Sequence, residues 1–262
     1  MKITQIRNAT VLLEFESEGK SIGLLVDPML SKKGTMAAFK YFGGSVRRNP
    51  TVDLPTNSPE LLQRVTHCLI THCQRAHVDH LDRAGTKFLR ERSIPVFCMP
   101  HDTSFLAARG LTTLQLLDKQ SQPFFHGQIT PIPCVHGTGW VGHLMEHGSG
   151  YYIDLPGEPT VYIAGDTILT DDVRLCLVQR KPKVAILPAG GAKFDLGGEI
   201  IMNAAEVIEA CLLSTNVVIA NHLEALDHCP VTRTELYHAA EKAGVQDRML
   251  IPEDGVAAEF FN

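Results

Sequence analysis

Four apolar runs in this chain each end on a side chain that can bind a metal. Cys68-Leu69-Ile70-Thr71 leads into His72, with His77, Asp79 and His80 close behind. Ile132-Pro133-Cys134-Val135 leads into His136, Val161-Tyr162-Ile163-Ala164-Gly165 into Asp166, and Val217-Val218-Ile219-Ala220-Asn221 into His222. Runs this short, bounded by polar or turn residues, read as buried strands. Strands deliver side chains to one edge of a layered α/β fold, so the fold has to gather these four ends. Imidazole and carboxylate are ligands that suit zinc, manganese or iron.

The rest of the pattern indicates the frame. Strands are expected at 2–7, 10–16 and 21–26, with Glu18-Gly19-Lys20 as a turn. Residues 28–57 show no periodicity, and long irregular stretches in compact domains are often functional, so they form a candidate wall for a substrate cleft. Ser58-Pro59-Glu60 opens a helix, with Ser58 as N-cap and Pro59 at the first position. Further strands are expected at 67–71, 95–99, 113–117, 123–135, 141–146, 150–154, 159–164, 184–188, 217–221, 248–251 and 256–261. Helices are expected at 81–92, 101–109, 171–180, 199–213 and 232–243. In the segment 199–213, Ile201, Ala204, Ala205, Ile208 and Leu212 share one helical face. In both halves a strand meander gives way to alternating strands and helices. This predicts an α/β (α+β) protein with mixed sheets covered by helices, in one domain over 1–262.

Composition limits the partners. The chain is 44% hydrophobic, enough for a sizeable core, and its net charge of −5 is too small for a disordered chain. A pI near 6.2 argues against broad nucleic-acid binding, which needs a basic face. No apolar stretch approaches the roughly 20 residues of a membrane helix, and the alternating, charged N-terminus does not read as a signal peptide. Seven scattered cysteines without a C-x-x-C pair fit reduced thiols and a cytoplasmic location.

With these residues in view, the chain resembles the metallo-β-lactamase superfamily over nearly its whole length. Thr71-His72 through His77-Val78-Asp79-His80-Leu81-Asp82 is similar to the signature H-x-H-x-D-H, and Ala164-Gly165-Asp166-Thr167 to the segment with the bridging aspartate. Asn8-Ala9-Thr10 and Leu25-Val26-Asp27-Pro28 resemble the opening of its lactonase-like branch, which holds L-ascorbate-6-phosphate lactonase and many uncharacterised hydrolases. The resemblance implies a four-layer αββα sandwich and a metal-activated water that cleaves an ester, lactone or phosphoester bond. It implies a divalent transition metal, zinc first with manganese or iron as alternatives, one or two ions per chain. His72, His77 and His136 would hold one ion, Asp79, His80 and His222 a second, and Asp166 would bridge them, with Asp79 also taking or relaying a proton.

The signature departs at one point. Cys73-Gln74-Arg75-Ala76 separates His72 from His77, so the first-ligand position falls to His72 across an insertion or to Arg75. Arg75 cannot ligate a cation but could pair with an anionic substrate. Asp27 is the candidate to orient a ligand histidine, although Asp-Pro also suits a turn. Asp82 suits the start of the following helix. Glu224 and His228, beside His222, could meet substrate or be plain loop residues. The expected partner is a small molecule, and the sequence leaves a homo-oligomer open. Two alternatives stand beside the hydrolase: a phosphodiesterase acting on a nucleotide or small phosphodiester, and a degenerate metal-binding sensor or partner-binding protein without catalysis.

Overall fold

The computed structural model describes residues 1–42, 46–74, 77–116, 118–145 and 148–262. The chain opens with β1 (Lys2–Arg7), β2 (Thr10–Ser17) and β3 (Lys20–Val26), an antiparallel meander. After α1 (Ser58–Gln63), the strands β4 (His67–Leu69), β5 (Val96–Cys98) and β6 (Thr113–Gln115) add in parallel, joined by α2 (Arg83–Glu91) and α3 (Pro100–Ala107).

The second half repeats this plan. β7 (Gln122–Phe124), β8 (Gly127–Pro133), β9 (Ser149–Asp154) and β10 (Val161–Ile163) are antiparallel neighbours. The short α4 (Gly139–Leu144) lies between β8 and β9. After α5 (Asp171–Leu175), the strands β11 (Val184–Pro188), β12 (Val217–Asn221) and β13 (Met249–Leu250) extend the sheet in parallel across α6 (Ala204–Leu213) and α7 (Arg233–Ala243). The last strand, β14 (Ala257–Glu259), returns to pair with β1. Among the described residues this gives two seven-stranded sheets.

The strands are apolar on both faces because both faces are covered. Alternate residues of β2 divide accordingly: Leu13 and Phe15 join Ile129, Ile153, Val161 and Ile186 between the sheets, while Leu12 packs outward with Leu61, Leu89 and Leu106 beneath the helices. On the far side Tyr162, Leu187 and Val218 meet Val173, Val207 and Leu236. The layers are therefore helix, sheet, sheet, helix, as the resemblance implied. Among the described residues no helix is long and apolar enough to cross a membrane. All seven cysteines are free and buried.

Several expected elements differ. Residues 141–146, expected as a strand, begin inside α4. Val141 and Met145 lie one helical turn apart, and Met145 N–H donates to Val141 O at 3.1 Å. The run 123–135 is a hairpin that turns at Phe125, whose φ is +51°. The helix expected from 199 begins only at Ala204. Asn203 caps it by accepting Glu206 N–H while Glu206 accepts Asn203 N–H, a closed capping box. Residues 200–202 are buried and bonded elsewhere. The first helix likewise starts with Asn57 rather than Ser58 at the N-cap position.

The described residues of 28–57 are irregular, as expected, and several of them are firmly held. The buried Arg7 guanidinium donates to the carbonyls of Met29, Ser31 and Val52. Asp227 accepts the N–H groups of Phe39 and Lys40 and the amide of Asn49. These bonds satisfy backbone groups that no sheet or helix pairs.

Candidate metal centre

The ends of β4, β8, β10 and β12 meet at one edge of the sandwich. The segment after β4 carries His72, His77, Asp79 and His80; the others bring His136, Asp166 and His222. Two buried groups form there: His72, His77 and His136 in one, and Asp79, His80, Asp166 and His222 in the other, with candidate ligand atoms within 4.8 Å of one another in each. The Asp166 carboxylate lies between them. Its Oδ2 is 3.1 Å from His80 Nε2, 3.3 Å from His222 Nε2 and 3.5 Å from His136 Nε2. Asp79 Oδ2 is 3.4 Å from His222 Nε2 and 3.6 Å from His80 Nε2.

The ring orientations follow from bonds on the far nitrogens. His80 Nδ1 donates to Asp27 Oδ2 at 2.9 Å, which turns Nε2 inward. Asp27 also accepts Thr71 N–H at 2.8 Å and the Thr71 hydroxyl at 2.6 Å. That hydroxyl has spent its proton, so at 3.0 Å it accepts from His72 Nδ1 and leaves His72 Nε2 as the free lone pair. His136 Nδ1 donates to Ile200 O at 2.7 Å. Residues 200–202 are thus drawn out of the expected helix to support the centre; Met202 N–H also bonds Thr167 O, one residue past Asp166.

The backbone is bent to suit. Asn8, Asp27 and His222 all have left-handed φ, at +55°, +45° and +57°, a conformation that costs free energy in residues with a Cβ and is kept where the surroundings enforce it. His222 N–H donates to Asn8 O at 3.0 Å. Gly190 is required beside it, since a Cβ there would stand 2.2 Å from His222 O.

His72 Nε2, His80 Nε2 and Asp166 Oδ1 are buried without a hydrogen-bond partner. Buried polar atoms normally have one. Buried imidazoles and carboxylates converging on one space are the donor set that suits a divalent transition ion.

No family model matches the chain. It is 30% identical over 265 residues to the UPF0173 protein YddR of Bacillus subtilis, across 99% of this chain and 100% of that one. The chain belongs to the UPF0173 family. A UPF0173 metal-dependent hydrolase of Xanthobacter autotrophicus is 29% identical over 228 residues, 85% of this chain and 83% of the relative. Among solved structures, an isothiocyanate hydrolase from Delia radicum gut bacteria matches with a TM-score of 0.88 and 31% identity, covering 100% of both chains. The metallo-β-lactamase fold protein YhfI of Bacillus subtilis matches with a TM-score of 0.64 over 98% of this chain and 99% of that one; at 17% identity this is a likeness of fold. This UPF0173 chain is a metal-dependent hydrolase with the metallo-β-lactamase fold.

Electrostatics divide the UPF0173 centre in two. Burial holds His72 and His136 below the ordinary histidine value and His77 down at about 4. Burial also disfavours protonated His80 and His222, but nearby carboxylates, Asp166 foremost, outweigh it and hold both well above the ordinary value. In return these imidazoles keep Asp79 and Asp166 ionised despite burial.

The other candidates are placed as follows. Asp27 sits behind His80 as its hydrogen-bond acceptor. Asp82 caps α2, accepting Gly85 N–H at 2.7 Å. Glu224 faces Arg233, accepting its backbone N–H and guanidinium, so its carboxylate is engaged away from the two groups of ligand atoms. Arg75 lies outside the described residues. Sequence reasoning quoted Thr71 and Asn8 within the motifs but missed them as supports. It left His228 open between a substrate contact and a plain loop residue. That ring is buried, edge-on to Phe39 at 4.8 Å and stacked on Phe194 at 5.6 Å, and its Nδ1 has no partner.

Proposed function

We propose that this protein hydrolyses a small electrophilic molecule of the isothiocyanate type. His72, His77 and His136 would hold one ion; Asp79, His80 and His222 would hold a second, with Asp166 between them. The observation that carries this is the Asp166 carboxylate standing within 3.5 Å of imidazoles from both groups. When bound, such ions lower the pKa of water and offset negative charge developing on the substrate. Asp27 and the Ile200 carbonyl hold the outer protons of His80 and His136, so both rings present Nε2 inward. Asp79, kept ionised, takes the proton from the attacking water. Its side chain is nearly enclosed, which excludes bulk water from that transfer.

The choice of electrophile is supported by the full-length likeness to isothiocyanate hydrolase at 31% identity. In that reaction water adds across N=C, placing oxygen on carbon and hydrogen on nitrogen. The resulting thiocarbamic acid splits at the C–N bond into an amine and carbonyl sulfide. The test is release of amine and carbonyl sulfide from benzyl isothiocyanate by metal-loaded protein, with a lactone and bis-p-nitrophenyl phosphate alongside. Turnover of the isothiocyanate, abolished by Asp166→Ala, is expected. Turnover of the lactone or the phosphodiester alone would replace this reading with the corresponding one, and no turnover of any would remove it.

A further inference from the structure

A cavity of about 660 Å³ lies between the start of the irregular segment and the first turn of α2. That size suits a drug-sized organic molecule. Its floor is apolar, with Met36, Phe39, Val78 and Ala84. Val78 lies between His77 and Asp79 in sequence and is 37% exposed, so one wall of the cavity belongs to the metal-binding loop itself.

The rim has the opposite character. Lys32, Arg83 and Lys87 belong to the same lining and are all exposed, which sets their charges on its solvent side. Among the described residues neither Lys32 nor Arg83 has an ion-pair partner, and Lys87 has only a 3.8 Å approach to Glu91 one turn along α2. The carboxylate in the lining, Asp82, is already committed: its oxygens accept Ser31 N–H at 2.6 Å and Gly85 N–H at 2.7 Å. Three cations beside one engaged carboxylate stand out in a chain of net charge −5. The wall is also preformed. Arg7 fixes the carbonyl of Ser31, and Asp227 fixes the N–H of Phe39, so little ordering is needed on binding.

We propose that this cavity is a specificity site of the same hydrolase, taking the far end of a substrate whose apolar body carries an anion such as a carboxylate. This rests on the reaction proposed above. The apolar body lies on Phe39 and Val78, and the anion reaches the cationic rim. The reacting group is then left toward the loop that carries His77 and Asp79.

The experiment compares 6-isothiocyanatohexanoate with hexyl isothiocyanate as substrates of the metal-loaded full chain. The acid is expected to show a kcat/KM about tenfold higher, the scale of a few partly screened ion pairs. The difference should lie in KM and shrink in high salt. The combined substitution Lys32→Ala, Arg83→Ala and Lys87→Ala should bring the ratio of the two substrates close to one. Equal handling by the unaltered protein, or a ratio indifferent to the substitutions, overturns the proposal. If neither isothiocyanate is turned over, the reaction reading fails, and calorimetric binding of hexanoate against hexan-1-ol judges the cavity alone. Preference for hexanoate that the triple substitution removes sustains the site, and absence of preference overturns it.

Discussion

Asp27 shows how much of the centre depends on a side chain that stands outside both groups of ligand atoms. It accepts the His80 ring, the Thr71 N–H and the Thr71 hydroxyl, and through that hydroxyl it sets the His72 ring as well. Asp27→Asn presents a donor where donors already converge. It should weaken metal binding about 10- to 100-fold, the usual cost of losing such a support, as measured by competition with a chromogenic chelator. Unaltered affinity would show that the rings are held some other way. The residues at the centre were legible because each follows an apolar run, and Asp27 was legible for the same reason. His228 was not, since only the fold brings Phe39 and Phe194 to its faces. Burial pushes its pKa down from 6.5 to about 4. The unfolded chain therefore binds this proton more readily than the folded one. His228 contributes its full stability above pH 6.5 and loses it as the pH falls toward 4, by about 3 kcal/mol at the acid limit. His228→Phe keeps the ring between its neighbours, and urea unfolding between pH 7 and 4 should show a shallower acid loss than in the native chain.

Between residues and molecule, the elements explain why some expectations failed. The helix expected over 199–213 forms only from Ala204 on and turns another face inward: Val207, Ala210 and Cys211 are buried, while Ala205 and Leu212, expected on the inner face, are exposed; Asn203 and Glu206 lock its start, and Ile200 is needed to hold His136. Apolar spacing alone does not mark where a helix begins; the cap does. The run 141–146 is too short for period two and period 3.6 to be told apart. The strands that end on the ligands were read correctly because they are buried on both faces and bounded by turn residues. Asn203→Ala should cost about 1 kcal/mol in urea unfolding. It should also weaken metal binding, because the cap and the Ile200 carbonyl share one short segment. A loss of stability with unchanged metal affinity would separate the two roles.

At the scale of the whole molecule, the centre joins two sheets that share a core but follow separate chain paths. His72, His77, Asp79 and His80 come from one sheet; His136, Asp166 and His222 come from the other. A bound ion thus ties the halves together, and chelation should lower the melting temperature. Without a metal, the carboxylates around them, Asp166 foremost, outweigh burial and raise the proton affinity of His80 and His222 well above that of an ordinary histidine. A metal must displace those protons, so its affinity should rise with pH through the neutral range. Calorimetry in buffers of different ionisation enthalpy should report net proton release on binding, and the absence of release would contradict the assigned ligands. The seven buried cysteines carry a consequence of another kind. Isothiocyanates thiocarbamoylate thiolates, so a hydrolase of the proposed specificity would risk inactivating itself. Burial pushes Cys98 up to about 11 and Cys176 up to about 12, and it raises the other five as well. Mass spectrometry should find the native chain free of dithiocarbamate adducts after exposure to benzyl isothiocyanate, and the urea-unfolded chain modified. The sandwich would then act as armour against the substrate proposed for it.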